Sequence, residues 1–379
     1  LNLFQKDLLM DITDMEELAN FPDSAKAAWS TDDMATTFAI PLASVIHGFI
    51  YNKDAFAKLG LEVPKTEEEF YQVLDAFLAD GTYVPLALGV VDDLGAAFAT
   101  EKGHNNIGVN YWKGEDGRMA LIDGTQKLTD DGWVEPYRQM KKWVQYIGDG
   151  LSMTKDDGWL DFVDGGAAIW PAGSWEISGL QNGVKDFEMG AFSPPVQNEG
   201  DQCYISDHID MAMAINAGIS DDSKAEAANT FLKWLGSEEF AGLFANALPG
   251  FFPLSNFPVE VDEQLSNGFI QWRKECESSI RPFAQIVSRG DYNLLQESFK
   301  ATADVMKGVS SPEEASATLQ EGLESWYEPQ QSDVPVDIED PEVEQPDPPA
   351  GGETSEAWKG ASIALAYFTA VLASLAVVD

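Results

Sequence analysis

Three histidines, His47, His104 and His208, are the side chains of this sequence best suited to acid–base or metal chemistry. None stands at ligand spacing from another histidine or from a cysteine, and each by itself reads as a surface or hydrogen-bonded loop residue. Neither an HExxH motif nor a P-loop occurs, and Gly173-Ser174-Trp175 lacks the second glycine that tightens a nucleophile elbow. Ser152 and Lys155 fit the SxxK spacing, a match that arises readily by chance. Adjacent carboxylates such as Asp92-Asp93 and Asp156-Asp157 are ordinary in a chain this acidic and single out no glycosidase pair. No enzymatic activity, metal or cofactor is expected. The aromatic residues carry more signal. Of 11 tryptophans, Trp112, Trp133, Trp159, Trp170 and Trp175 lie beside glycine turns or acidic and amide residues. An aromatic face packs on the apolar C–H face of a sugar ring while carboxylates and amides take its hydroxyls, each unpaired hydroxyl costing about 1–3 kcal/mol. Most of these tryptophans still read as core, and Trp143, on a helical apolar stripe, is a clear core case.

The elements that must position these residues alternate as α/β. Thr37–Leu42 and Gly48–Tyr51 read as strands, and Thr66–Leu78 as a helix opened by a capping box. Apolar residues at 133, 134, 137, 140, 143, 144 and 147 make a helical stripe within Lys127–Gly148. Residues 222–246 read as one long helix with Ala228, Phe231, Leu232 and Leu235 on its apolar face; Leu294–Met306 and Pro312–Trp326 read as two more. The stretch AAIWPAGSWEISGL at 167–180 reads as a buried strand over Ala167–Trp170, ended by a turn over Pro171–Ser174. That turn hands Trp175 to an edge and leaves Trp170 in the core.

The chain has 379 residues, enough for two domains, and a formal net charge of −41. Such a surface repels phosphate backbones and anionic lipid, so nucleic acid is excluded as a partner. Lysine outnumbers arginine and large aromatics are plentiful, which fits an acidic extracellular protein better than one adapted to saturated salt. The two cysteines, Cys203 and Cys276, match no metal motif and read equally well as one disulfide or as two structural thiols. Residues 333–352 are acidic and proline-rich, the composition of an extended linker. Residues 360–378 hold no charge and just reach bilayer-spanning length, so a C-terminal anchor is expected, as a membrane span or a glycolipid-anchor signal.

Six stretches in register resemble the extracellular solute-binding proteins of ABC importers, in the carbohydrate-binding family that includes maltodextrin-binding protein. They are LLMDITD (Leu8–Asp14), AIPLA with FIYNKD (Ala39–Ala43, Phe49–Asp54), VPKTEEEF (Val63–Phe70, with Glu67 where the family has Trp), FVDGGAAIWPAGSW (Phe162–Trp175), the block over Ala214–Asn216, Ala225–Leu235 and Ser237–Glu239, and LPGFFPL (Leu248–Leu254). The order agrees across about residues 5–328, outside the acidic tail. The resemblance implies a two-lobed α/β clamp of the periplasmic-binding-protein kind, with hinge-crossing strands near Pro41–His47 and Asp207–Met211 and a ligand cleft between the lobes. Residues 1–40 with 212–258 would form the first lobe, 43–206 with 259–328 the second, and part of the first lobe would precede Leu1. Carried over position by position, Trp175 is the aromatic platform. Val45 stands where a family carboxylate would, leaving Ser44 or His47 to substitute. Asp92 and Asp93 lie in a ligand-facing loop, Asp207, His208 and Asp210 flank the second hinge, and Tyr292 lies near the place of a second-lobe aromatic. The function implied is a monomeric extracellular receptor that delivers a mono- or oligosaccharide to ABC permease subunits. The same clamp binding a cationic solute such as a polyamine, and a secreted carbohydrate-active enzyme, are the alternatives.

Overall fold

The computed structural model describes residues 1–31, 33–283 and 285–331; the expected linker and anchor lie outside them. A mixed sheet of seven strands runs through the middle of the α/β fold, in the order β2-β3-β1-β5-β7, with β4 and β6 also on β1. The strands are β1 (Ile40–Asn52), β2 (Val84–Leu86), β3 (Ala167–Gly173), β4 (Met189–Phe192), β5 (Tyr204–Met213), β6 (Phe252–Pro253) and β7 (Glu277–Ser279).

β1 organises the molecule. Its sequence IPLASVIHGFIYN is rich in β-branched and aromatic residues and is buried on both faces, as a central strand requires. The two short strands read from the sequence are therefore one strand of 13 residues. Its first half pairs antiparallel with β5 and β6, its second half with β3 and β4. The pairing with β5 is irregular between Pro41 and Ala43 and again between Ala43 and Ser44, where Pro41 has no N–H to donate. Gly48 is glycine because a Cβ there would come within 2.5 Å of the Trp272 ring.

The buried apolar side chains form two clusters. The smaller joins Ile12, Met15, Leu18, Phe21, Ile40 and Leu42 to Ile215, Leu232 and Leu235. The larger runs from Ile46, Phe49 and Ile50 through Trp112, Trp133, Trp143 and Trp170 to Leu319 and Leu323. Among the described residues, three stretches of chain lead between them: the middle of β1, β5, and the segment around β6.

Several helices match their sequence signals. Glu67–Asp80 starts at the Thr66/Glu69 capping box, and Leu294–Met306 starts on Asn293 as N-cap. The 222–246 helix is two helices, Asp222–Leu235 and Glu238–Ala247, because Ser237 caps a new start after Gly236. Leu232 and Leu235 face the smaller cluster, whereas Phe231 is 48% exposed and does not belong to the apolar face assigned to it. β3 continues through Pro171 to Gly173, so the turn lies later than the proline suggested; Pro171 sits opposite Phe49 in the ladder. Cys203 and Cys276 form a disulfide. No helix among the described residues is long and apolar enough to cross a membrane.

Candidate functional site

The turn after β3 is fixed from three sides. Gly173 N–H donates to Glu176 Oε2 at 3.0 Å. Ser174 Oγ donates to the Gly250 carbonyl at 2.5 Å and accepts from Ile46 N–H at 3.0 Å. Gly250 itself has φ +90°, and a Cβ there would strike the Ser174 carbonyl at 1.7 Å, so the close approach demands glycine. Trp175, half-buried, is thereby held against the β1–β5 ladder.

The register of that ladder divides the polar residues between two faces. His208 lies opposite Val45, Asp207 opposite Ile46 and Ile209 opposite Ser44. Residues opposite one another share a face and the side-chain period is two. His47, Ser206, His208 and Asp210 therefore point to one face, Ser44 and Asp207 to the other. On the first face the His47 ring lies edge-on to Trp175 at 5.0 Å between centroids and 5.2 Å from the His208 ring, and His208 is 6.1 Å from Trp175. His208 Nε2 is 3.4 Å from Asp210 Oδ1. On the opposite face, Arg273 donates to both Asp207 oxygens, at 2.6 and 3.0 Å, and to Ser44 Oγ at 2.7 Å.

Four further side chains complete the first face. Lys102 ends the helix Asp93–Lys102 and passes into a π turn over Gly103–Ile107; such turns often re-aim side chains at functional sites. Its Nζ lies 4.1 Å from the Trp175 ring centroid, 4.5 Å from that of Phe98 and 3.5 Å from Glu176 Oε2. The π turn also supplies Asn106, whose amide donates to the Ala172 carbonyl at 2.8 Å and to that of Gly48. Its Oδ1 is left to accept from His47 Nδ1 at 3.1 Å. His47 is thereby the Nδ1–H tautomer, with Nε2 as an acceptor. Arg281 pairs with Glu101 at 3.3 Å.

Burial sets the electrostatics. It holds His47 and His208 well below the usual histidine range, helped by the Lys102 and Arg281 charges that face both rings, while the Asn106 bond opposes this for His47. Burial pushes Lys102 down to about 8 against the pull of Glu176 and Glu101, and raises the Asp210 carboxyl against the pull of Arg281. Among the described residues, the buried His47 Nε2, both His208 nitrogens, Lys102 Nζ, Ser206 Oγ, Glu176 Oε1 and Arg281 Nε make no hydrogen bond. Buried polar atoms are almost always satisfied, so this concentration of free donors and acceptors beside a half-buried tryptophan makes the face the candidate site.

The structure thus brings together Trp175, His47, His208 and Asp210 of the residues singled out from the sequence. Ser44 and Asp207 are engaged by Arg273 on the far face. Asp92 is exposed and caps the helix Asp93–Lys102 by accepting from Gly95 N–H at 2.9 Å; Asp93 is exposed in its first turn. It is the other end of that helix, at Lys102, that reaches the site. Tyr292 packs against Gly322, with its hydroxyl 3.4 Å from the Thr318 carbonyl, in a groove between the helices Leu294–Met306 and Pro312–Glu324. The three histidines are not surface or loop residues: His47 and His208 lie on central strands, and His104 is 1% exposed in the π turn, edge-on to Tyr137 and Phe283. Lys102, Asn106, Glu176 and Arg281 gave no motif. The visible hint was the polar run TEKGHNN at 100–106 between two apolar helical stretches.

The chain is 23% identical over 321 residues to the multiple sugar-binding protein of Streptococcus mutans, covering 78% of this chain and 67% of that one. Among solved structures it is similar to a chitin oligosaccharide binding protein, with TM-score 0.69, 21% identity, and coverage of 86% of this chain and 80% of that chain. A sugar transporter of Bacillus licheniformis in complex with stachyose matches with TM-score 0.65 and 15% identity over 86% and 82% of the two chains. The two-lobed clamp of these structures is the fold of this chain. The sequence profile of the bacterial extracellular solute-binding proteins matches residues 1–255, more than half of the 379 residues, and the chain belongs to that family.

Proposed function

We propose that this protein is an extracellular receptor for a neutral carbohydrate, which it binds against Trp175, His47, His208 and Asp210 and delivers to an ABC importer. The smaller and larger apolar clusters would be the cores of the two lobes, with limits near residues 1–40 plus 212–258 and 43–206 plus 259–328. The single observation that carries the reading is the half-buried Trp175 set beside buried, unpartnered polar atoms where the chain passes between the clusters. An indole face suits the C–H face of a sugar, and the free donors and acceptors suit its hydroxyls. The sugars named for related proteins, chitin oligosaccharides and stachyose, support this class of ligand. Charge argues against a polyamine: Lys102 and Arg281 already face Glu176 and Glu101, so a cationic solute would add uncompensated charge to a buried site. A secreted hydrolase is the weaker reading because Glu176 Oε2 accepts from Gly173 N–H and lies 3.5 Å from Lys102 Nζ, contacts that suit it to holding the turn rather than to moving protons. Delivery to permease subunits, monomeric action and a C-terminal membrane anchor remain part of the proposal through the family and the tail sequence.

The test is titration calorimetry with a panel of neutral oligosaccharides that includes chitin oligosaccharides and stachyose, alongside spermidine. At least one sugar should bind, and Trp175→Ala should weaken it at least tenfold, roughly 1.4 kcal/mol, while leaving the fold intact. Spermidine binding in place of every sugar would overturn the assignment.

A further inference from the structure

On the face of the crossing sheet opposite Trp175, the helix Gln264–Glu275 ends against all three passes that join the two apolar clusters. Trp272 lies directly on Gly48 of β1. Cys276, just past the helix, is disulfide-bonded to Cys203 on the run into β5. Between these two anchors, Arg273 spreads its guanidinium over the crossing. It holds both oxygens of Asp207 on β5, donates to Ser44 Oγ on β1 and lies 5.5 Å from the ring centroid of Phe252 on β6. Ser44 adjoins the two irregular steps of the β1–β5 pairing, the stretch best able to absorb changes of φ and ψ.

We propose that Arg273 is a positioning residue for ligand binding: a planar fork that clamps the three passes at one angle and so sets how the two lobes face each other, without touching the ligand. Its effect on affinity rests on the receptor function above; its effect on lobe geometry does not. A bidentate guanidinium–carboxylate pair fixes orientation as well as distance, which the point charge of lysine cannot do. Freed of the fork, the hinge spreads over more conformers, and affinity falls by the fraction that remains competent to bind.

The experiment places spin labels on Glu226→Cys and Gln145→Cys, exposed positions on the smaller-cluster and larger-cluster sides; the two native cysteines are held in their disulfide. Distance distributions are measured by double electron–electron resonance without ligand. The otherwise unsubstituted, doubly labelled protein should give one narrow distribution, and R273M and R273K should both broaden it, with sugar affinity reduced at least tenfold. D207N, which keeps the side-chain volume, should broaden it less and carries the test if R273M does not fold. R138M, which loses the surface contacts to Asp131, Glu135 and Glu313, should leave the distribution unchanged. An unbroadened R273M overturns the proposal, as does R273K behaving like the unsubstituted protein while R273M does not, since charge alone would then suffice. Broadening in R273M with no sugar bound by any variant upholds the fork and refutes the carbohydrate reading.

Discussion

Acidification should destabilise this protein well above the pH at which its carboxylates titrate. His47, His104 and His208 are 0%, 1% and 5% exposed. Burial holds all three below the ordinary histidine value of 6.5, His104 at about 3. In the unfolded chain each takes up a proton near pH 6.5, whereas in the folded chain it does not. Below that pH the unfolded state therefore binds more protons, and the stability present above about 6.5 is lost as pH falls toward the folded values. Between about pH 7.5 and about pH 5.5 each histidine contributes about 1.4 kcal/mol, so three contribute about 4 kcal/mol. The raised Asp210 carboxyl, which faces His208, works in the opposite sense and offsets part of this loss. Urea unfolding followed by tryptophan fluorescence at the two pH values measures the difference. His104→Leu separates the contributions. Neither ring nitrogen of His104 has a hydrogen-bond partner among the described residues, so the leucine variant should be at least as stable at the higher pH and lose only about 2.7 kcal/mol on acidification. A loss below about 1 kcal/mol in the wild type, or an equal loss in His104→Leu, would refute the reasoning.

Two further outcomes follow from the described geometry. Replacing Cys203 and Cys276 by serine opens a loop of 73 residues, which in the chain-entropy account should lower stability by about 4 kcal/mol in denaturant unfolding; a change under about 1 kcal/mol would mean that the β5–β7 pairing alone holds the two segments. The double variant K102M/E176Q removes a buried ion pair while keeping an acceptor for Gly173 N–H. It should be as stable as the wild type or more stable, by up to about 4 kcal/mol, yet bind the sugar at least tenfold more weakly. Because burial holds Lys102 at about 8 rather than 10.5, the wild type should gain stability between those pH values relative to the variant. Equal affinity of the two proteins would assign the pair to packing alone.

Much of the architecture is legible locally. The Thr66/Glu69 capping box and the Asn293 cap set helix starts in the sequence itself. The 222–246 segment was harder: its 3.6-residue period survives Gly236, and the Ser237 restart shows only as a cap. β1 was read in two pieces because Ser44 and His47 interrupt its apolar run; they are buried there by polar partners from far along the chain, Arg273 and Asn106.

At the candidate site, the sequence points to Trp175, where a glycine-serine turn follows a buried strand, and to a binding protein without catalytic motifs. Sequence also held an unused clue: residues 207 and 208 of one strand must point to opposite faces, so Asp207 and His208 could not share a task. Which of the two faces the tryptophan was decided only in three dimensions, by the register of β5 on β1 and the anchoring of Ser174 to Ile46 and Gly250. The same holds for Lys102, Asn106, Glu176 and Arg281. Each is an ordinary polar residue in its local stretch, and it becomes part of the candidate site because packing removes it from water beside charges that no short window of sequence contains.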